Sequence, residues 1–161
     1  MMKVLRIFLV VLLIGHFLLA EVWSTDVRVP SQPVVVNSHN SFSETINTLK
    51  VAIKKRNLRI IFELNHGEVM AMTGFEGKNG VTIGFVGPEM EGDVLKAEPK
   101  AALEMPLRIG ILETDHGAVD VIYYQPSYLF DHYQNRELNK LKREMDILVG
   151  SIIKEAARST R

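Results

Sequence analysis

The side chains with the widest chemical reach in this sequence are its histidines, and His66 stands apart from His39, His116 and His132. It closes an apolar stretch and sits between Asn65 and Gly67, where a backbone or a ligand can come close. A neutral imidazole in such a place can bind a metal, coordinate haem iron or move a proton. The bland alternative is that Asn65 and His66 only satisfy the backbone groups of a turn. Met70 and Met72 follow closely, and one imidazole with two thioethers is soft enough for Cu(I). Against that set, methionines two apart on a helical turn face different ways, and Met is a common core filler. No histidine stands at His-x-His or His-x-x-x-His spacing from another, so a shared metal site has to be assembled by folding. His116, within Asp115-His116-Gly117, is expected in a solvated turn. His132, with Asp131 and Tyr133, is expected in a short helix over the sheet edge.

Other chemistries are excluded by their own spacing rules. Glu89, Glu91, Asp93 and Glu98 cluster in one connection, but at no EF-hand spacing, and read as a solvated loop. The glycines at 74, 77, 80, 84 and 87 precede a strand instead of opening a helix, and no Gly-Lys-Ser/Thr follows, so they are not a phosphate loop. No Gly-x-Ser-x-Gly elbow exists. The absence of cysteine removes thiolate metal sites, a thiol nucleophile, disulfides and a lipoprotein anchor. With 19 basic and 19 acidic residues, no strong field selects nucleic acid or acidic lipid, and no nucleic-acid partner is expected. Whether the protein is an enzyme stays open, with the balance toward a non-enzyme, and no cofactor can be named.

The N-terminus carries an address. Lys3 and Arg6 precede fourteen residues, Ile7 to Ala20, without a charge. That length fits a secretory hydrophobic region and falls short of the roughly 20 residues a span needs. Val22 and Ser24 make a small-residue cleavage site. The expectation is export, periplasmic or secreted, with residues 1–24 removed and no stable membrane span left afterwards. An uncleaved anchor tethering the domain to the outer face of the membrane is the alternative. Cleavage after Ser24 leaves 17 basic and 18 acidic residues.

Residues 25–32 then read as an exposed lead-in, and 33–161 as a single domain. The elements that position His66 begin at Ser41, which can cap a helix with Glu44 completing a capping box. Phe42, Ile46, Leu49 and Ile53 make one apolar stripe, and Asn57 is a left-handed stop. From Leu58 the period becomes two, so Leu58, Ile60, Phe62 and Leu64 are expected on one face, buried by the stripe. Before the helix, Val34 to Asn37 reads as a strand. After His66 a helical turn is expected at Glu68 to Met72, then a strand at Val81 to Val86. Short helical turns broken by Gly92 and Pro99 should follow. Leu107 to Glu113 and Ala118 to Tyr124 form a hairpin, and a long helix runs from about Arg136 to Ala157. Tyr123 and Tyr124 must point to opposite faces, one into the core and one outward, where it suits an interface, and a homodimer through the sheet or the last helix is expected. Five strands with two long helices give an α+β fold: an antiparallel sheet with both helices on one face.

At the fifth strand a resemblance is complete. Phe42-Ser43-Glu44-Thr45-Ile46 with Leu49-Lys50, Leu64-Asn65-His66, Phe85-Val86-Gly87-Pro88, Ala101-Ala102-Leu103-Glu104-Met105-Pro106-Leu107 and Tyr123-Tyr124-Gln125-Pro126-Ser127-Tyr128-Leu129 resemble, in order, segments of the domain-of-unknown-function 302 family. The third departs from the family's turn, with its Asn absent and its glycine shifted. The resemblance covers roughly residues 34–133. It implies a small α+β domain of the TATA-binding-protein-like class, dimeric, with no established activity. The name of the fold class carries no DNA-binding implication.

Three functional readings follow. The first is an exported binding domain holding a small molecule, a metal-containing cofactor or a partner between sheet and helices near His66, with Asn65, Tyr123 and Tyr124 as further candidates. The second is an enzyme with His66 as acid/base, and the third an envelope-interaction protein. His66 on a cavity wall with either tyrosine favours the first, and a carboxylate orienting its ring favours the second.

Overall fold

The helix α1, Phe42–Lys54, forms for the reasons its sequence states. Ser41 Oγ accepts the Glu44 amide at 3.3 Å, and the Glu44 carboxylate accepts the Ser41 amide at 3.1 Å. The two bonds satisfy donors that a helix start leaves orphaned. At the other end Asn57 takes φ 57°, the left-handed geometry in which Asn is among the few tolerated side chains. The computed structural model describes residues 32–158. The expected signal segment, its cleavage site and most of the lead-in lie outside the described residues.

Five antiparallel strands make one sheet in the order β1-β5-β4-β3-β2. They are β1 Val34–Ser38, β2 Arg59–Asn65, β3 Gly80–Val86, β4 Leu107–Glu113 and β5 Val119–Tyr123. Between them lie α2 His66–Ala71, α3 Pro88–Ala97 and a 3-10 turn Pro99–Glu104; after β5 come α4 Pro126–Leu129 and the long α5 Arg136–Ala157. The β4–β5 hairpin closes with Gly117 at φ 76°, again a left-handed position. The expected α+β architecture is thus present, and no helix among the described residues is long and apolar enough to cross a membrane.

The core occupies one face of the sheet. Strand alternation sends Val81, Ile83 and Phe85 of β3 and Leu107, Ile109 and Ile111 of β4 toward the long helices, where all six are buried. Leu49 and Ile53 of α1 and Leu138, Met145 and Ile152 of α5 meet them. Arg56 ties the two long helices together: its Nη1 lies 2.9 Å from Glu155 and its Nε donates to Ser151 at 3.1 Å. Asn40 Nδ2 donates to the carbonyls of Ala156 and Arg158, closing the C-terminal end of α5.

Three local expectations are corrected. The face of β2 is not continuous, because its pairing with β3 shifts between Ile60 and Phe62. The extra residue, Ile61, makes a β-bulge that flips the side-chain phase. Leu58 and Ile60 join the core, but Glu63 now faces the helices, in an ion pair with Lys50 of α1. Phe62 and Leu64 turn to the other face, 37% and 43% exposed. Gly92 does not break a helix, since α3 runs through it from Pro88 to Ala97 and only Pro99 interrupts. His132 lies in the turn after α4, not within a helix.

Two stability outcomes follow. Ser41→Ala should cost about 1 kcal/mol in urea unfolding, and an unchanged midpoint would show the cap to be idle. The hydrogen bond from Arg56 holds the Glu155 carboxyl below its ordinary range, against a smaller opposing effect of burial. The contribution is therefore present above the unfolded-state value and lost as pH falls through the folded-state one. Glu155→Gln should be less stable than wild type at neutral pH, and the gap should close in acid. A gap that widens in acid would contradict this.

Candidate cleft on the open sheet face

Alternation that fills one face with Val, Ile, Leu and Phe leaves the other to different residues. Thr82 and Gly84 of β3, Arg108, Gly110 and Leu112 of β4 and Ile122 of β5 face away from the long helices, on the registers Thr82↔Gly110, Gly84↔Arg108 and Gly110↔Ile122. Here the chain forms a cleft of about 370 Å³, within the range of small-molecule sites. Gly110, Leu112 and Ile122 make its apolar floor, His66 and Thr82 one wall, and Pro33, Arg108 and the tyrosine pair the rest.

His66 reaches this face because β2 ends one residue earlier and α2 begins on it. Asn65 caps α2 by accepting the Glu68 amide at 3.2 Å and donating to the Glu68 carboxylate at 2.9 Å. The His66 Nε2 then lies 2.8 Å from Thr82 Oγ1. Gly80 stands beside the pair: a Cβ there would make only an ordinary contact with His66, 3.5 Å to its Cβ, and would press on the end of the Leu112 side chain at 2.9 Å. Gly110 differs, since a Cβ on it would meet only ordinary contacts, 3.7 Å to the Ile122 carbonyl. Its missing side chain is depth in the cleft, not a backbone requirement.

Of the residues singled out in the sequence, His66 lines the cleft with Tyr123 and Tyr124. The two tyrosines divide as expected. Tyr123 packs against the core, where burial, and then the Asp146 carboxylate, raise its phenol above the ordinary value. Tyr124 is 40% exposed on the open side, its ring stacked on Tyr128 at 5.7 Å. Asn65 serves the α2 cap. Met70 and Met72 do not gather round His66: the Met70 sulfur lies over Gly77 and Met72 is 85% exposed. Among the described residues no group of three or more His, Asp or Glu side chains could hold a metal ion. The site also stands on the opposite side of the sheet from the place anticipated, because the space between sheet and helices is filled by core.

Thr82, Arg108 and Gly110 were not anticipated. Their signal was present in the period of two: Arg108 and Gly110 are the non-apolar alternates of Leu107-Arg108-Ile109-Gly110-Ile111, and Thr82 that of Val81-Thr82-Ile83. An alternation read for the buried face alone discards the other face.

Comparison with known proteins agrees with this architecture. A crystal structure of an uncharacterised conserved DUF302 protein from Bacillus stearothermophilus superposes with a TM-score of 0.73 at 13% identity, covering 78% of this chain and 98% of that one. Such an identity speaks for the fold alone. A comparison with curated proteins finds no match. The family model for the domain of unknown function DUF302 matches residues 34–156, which takes in every strand and all but the last residue of α5. The chain belongs to the DUF302 family.

Proposed function

We propose that this chain is a non-enzymatic binding domain that holds a small molecule in the cleft on the open face of its sheet. The observation that carries the reading is the half-buried His66–Thr82 pair standing at the wall of a 370 Å³ cleft beside Tyr124. Concave apolar surface with a few convergent polar groups is the usual form of a ligand site. The acid/base reading of His66 has less support. Its one hydrogen bond among the described residues goes to a hydroxyl, whereas a general base is normally oriented by a carboxylate or an equivalent acceptor.

Export and self-association complete the proposal. Export is supported by the charged start and the fourteen-residue apolar run, and it places the domain where it meets solutes outside the cytosol. A second copy is the occupant proposed for the open face beyond the cleft, where Val35, Phe62 and Leu64 are exposed.

Native mass spectrometry of protein purified from the exported fraction tests the reading. Wild type should carry an adduct of small-molecule mass. Gly110→Val, which fills the floor with a residue that favours strands, should lose the adduct with little change in Tm. An adduct retained in Gly110→Val would move the site elsewhere. Wild type that is always empty would remove the proposal.

A further inference from the structure

The cleft has a charge that nothing in it answers. Arg108 is the one formally charged residue of its lining. Among the described residues the Arg108 guanidinium makes no ion pair or hydrogen bond. Its cross-strand partner on β3 is Gly84, which carries no side chain to answer the charge. The cleft therefore combines a cation with no partner among the described residues, an apolar floor, the exposed Tyr124 with its ring stacked on Tyr128 and, on the adjacent strand, the His66–Thr82 pair.

Resting on the binding reading above, we infer that the ligand is a small, flat aromatic carboxylate bearing a hydroxyl group. A guanidinium presents a planar fork of N–H donors that matches a carboxylate with two parallel bonds. An alkyl ammonium ligand is disfavoured by the same charge. The floor of Gly110, Leu112 and Ile122 offers no polar side chain, so the body of the ligand must be apolar. Gly110 removes the bulk that would keep a ring from lying flat on the strands, and Tyr124 supplies an offset-stacking partner.

The polar ends are spaced for this. Thr82 is paired with Gly110, and Arg108 is two residues along the same strand face, so Thr82 and Arg108 are diagonal neighbours. Diagonal positions on a sheet stand roughly 7–8 Å apart, which the long Arg side chain can shorten or extend. One aromatic ring with groups at opposite ends bridges such a gap. The carboxylate then meets Arg108, and the hydroxyl joins the Thr82 Oγ1–His66 Nε2 bond as a further donor or acceptor. An imidazole and a hydroxyl can each take either role, so this end accepts a hydroxyl without a fixed proton count.

Isothermal titration calorimetry at neutral pH with 4-hydroxybenzoate and its neutral isostere 4-hydroxybenzamide tests the assignment. Wild type should bind the acid more tightly than the amide by about tenfold or more, the scale of a charge-assisted bidentate contact. Arg108→Gln, at an exposed position and therefore expected to keep its Tm, should abolish the preference and leave both weak. Gly110→Val should lose both. Equal affinity for acid and amide in wild type, or a preference that survives Arg108→Gln, would overturn the carboxylate assignment while leaving the cleft as a site. Failure of wild type to bind either compound would also overturn it, and an adduct seen by native mass spectrometry would then show that the cleft serves another ligand class.

Discussion

Everything in this fold depends on one asymmetry: the sheet buries a single face. Among the described residues two long helices accompany five strands, and both lie on the same side, where the inward alternates of β3 and β4 are sealed from solvent. Burial of this kind is the main favourable term in folding, at about 25 cal/mol per Å² of apolar surface removed from water. Its absence on the opposite face leaves that face free to be shaped by other needs. A doubly covered sheet would have filled the same positions with branched apolar residues. Here they hold Thr82, Gly84, Arg108 and Gly110.

The bulge at Ile61 converts this asymmetry into a cleft. One additional residue lets the first half of β2 serve the core through Leu58 and Ile60, and the second half serve the open face through Phe62 and Leu64. Phe62 lies across Gly84, where a Cβ would stand 2.2 Å from its ring, so the missing side chain of one strand is filled by its neighbour. Gly110 on β4 receives no such cover, and the cleft opens there. His66 reaches it by following Leu64 onto the same side. The cleft is a product of strand phase as much as of residue type.

The sequence made the covered face easier to read than the open one. Capping at Ser41 and Glu44, the left-handed stop at Asn57 and the apolar stripe of α1 are local features, and each appears where its chemistry requires. The phase error in β2 has a physical cause, since an inserted residue costs nothing in composition and leaves an alternating pattern that looks unbroken. Arg108 is inconspicuous for a related reason. In the sequence it is one basic residue among 19, and only the cross-strand register shows that no carboxylate stands beside it. His66 was legible as a residue with reach, but its Thr82 partner, sixteen positions away, was not.

On the binding reading proposed above, the face left bare by the helices is the working face. A crystal structure of the protein isolated with whatever it carries tests this most directly. Ordered density is expected over Gly110, between the His66–Thr82 pair and Arg108. Density seated between the sheet and the long helices, or bound elsewhere with the cleft holding only bulk-like solvent, would contradict it.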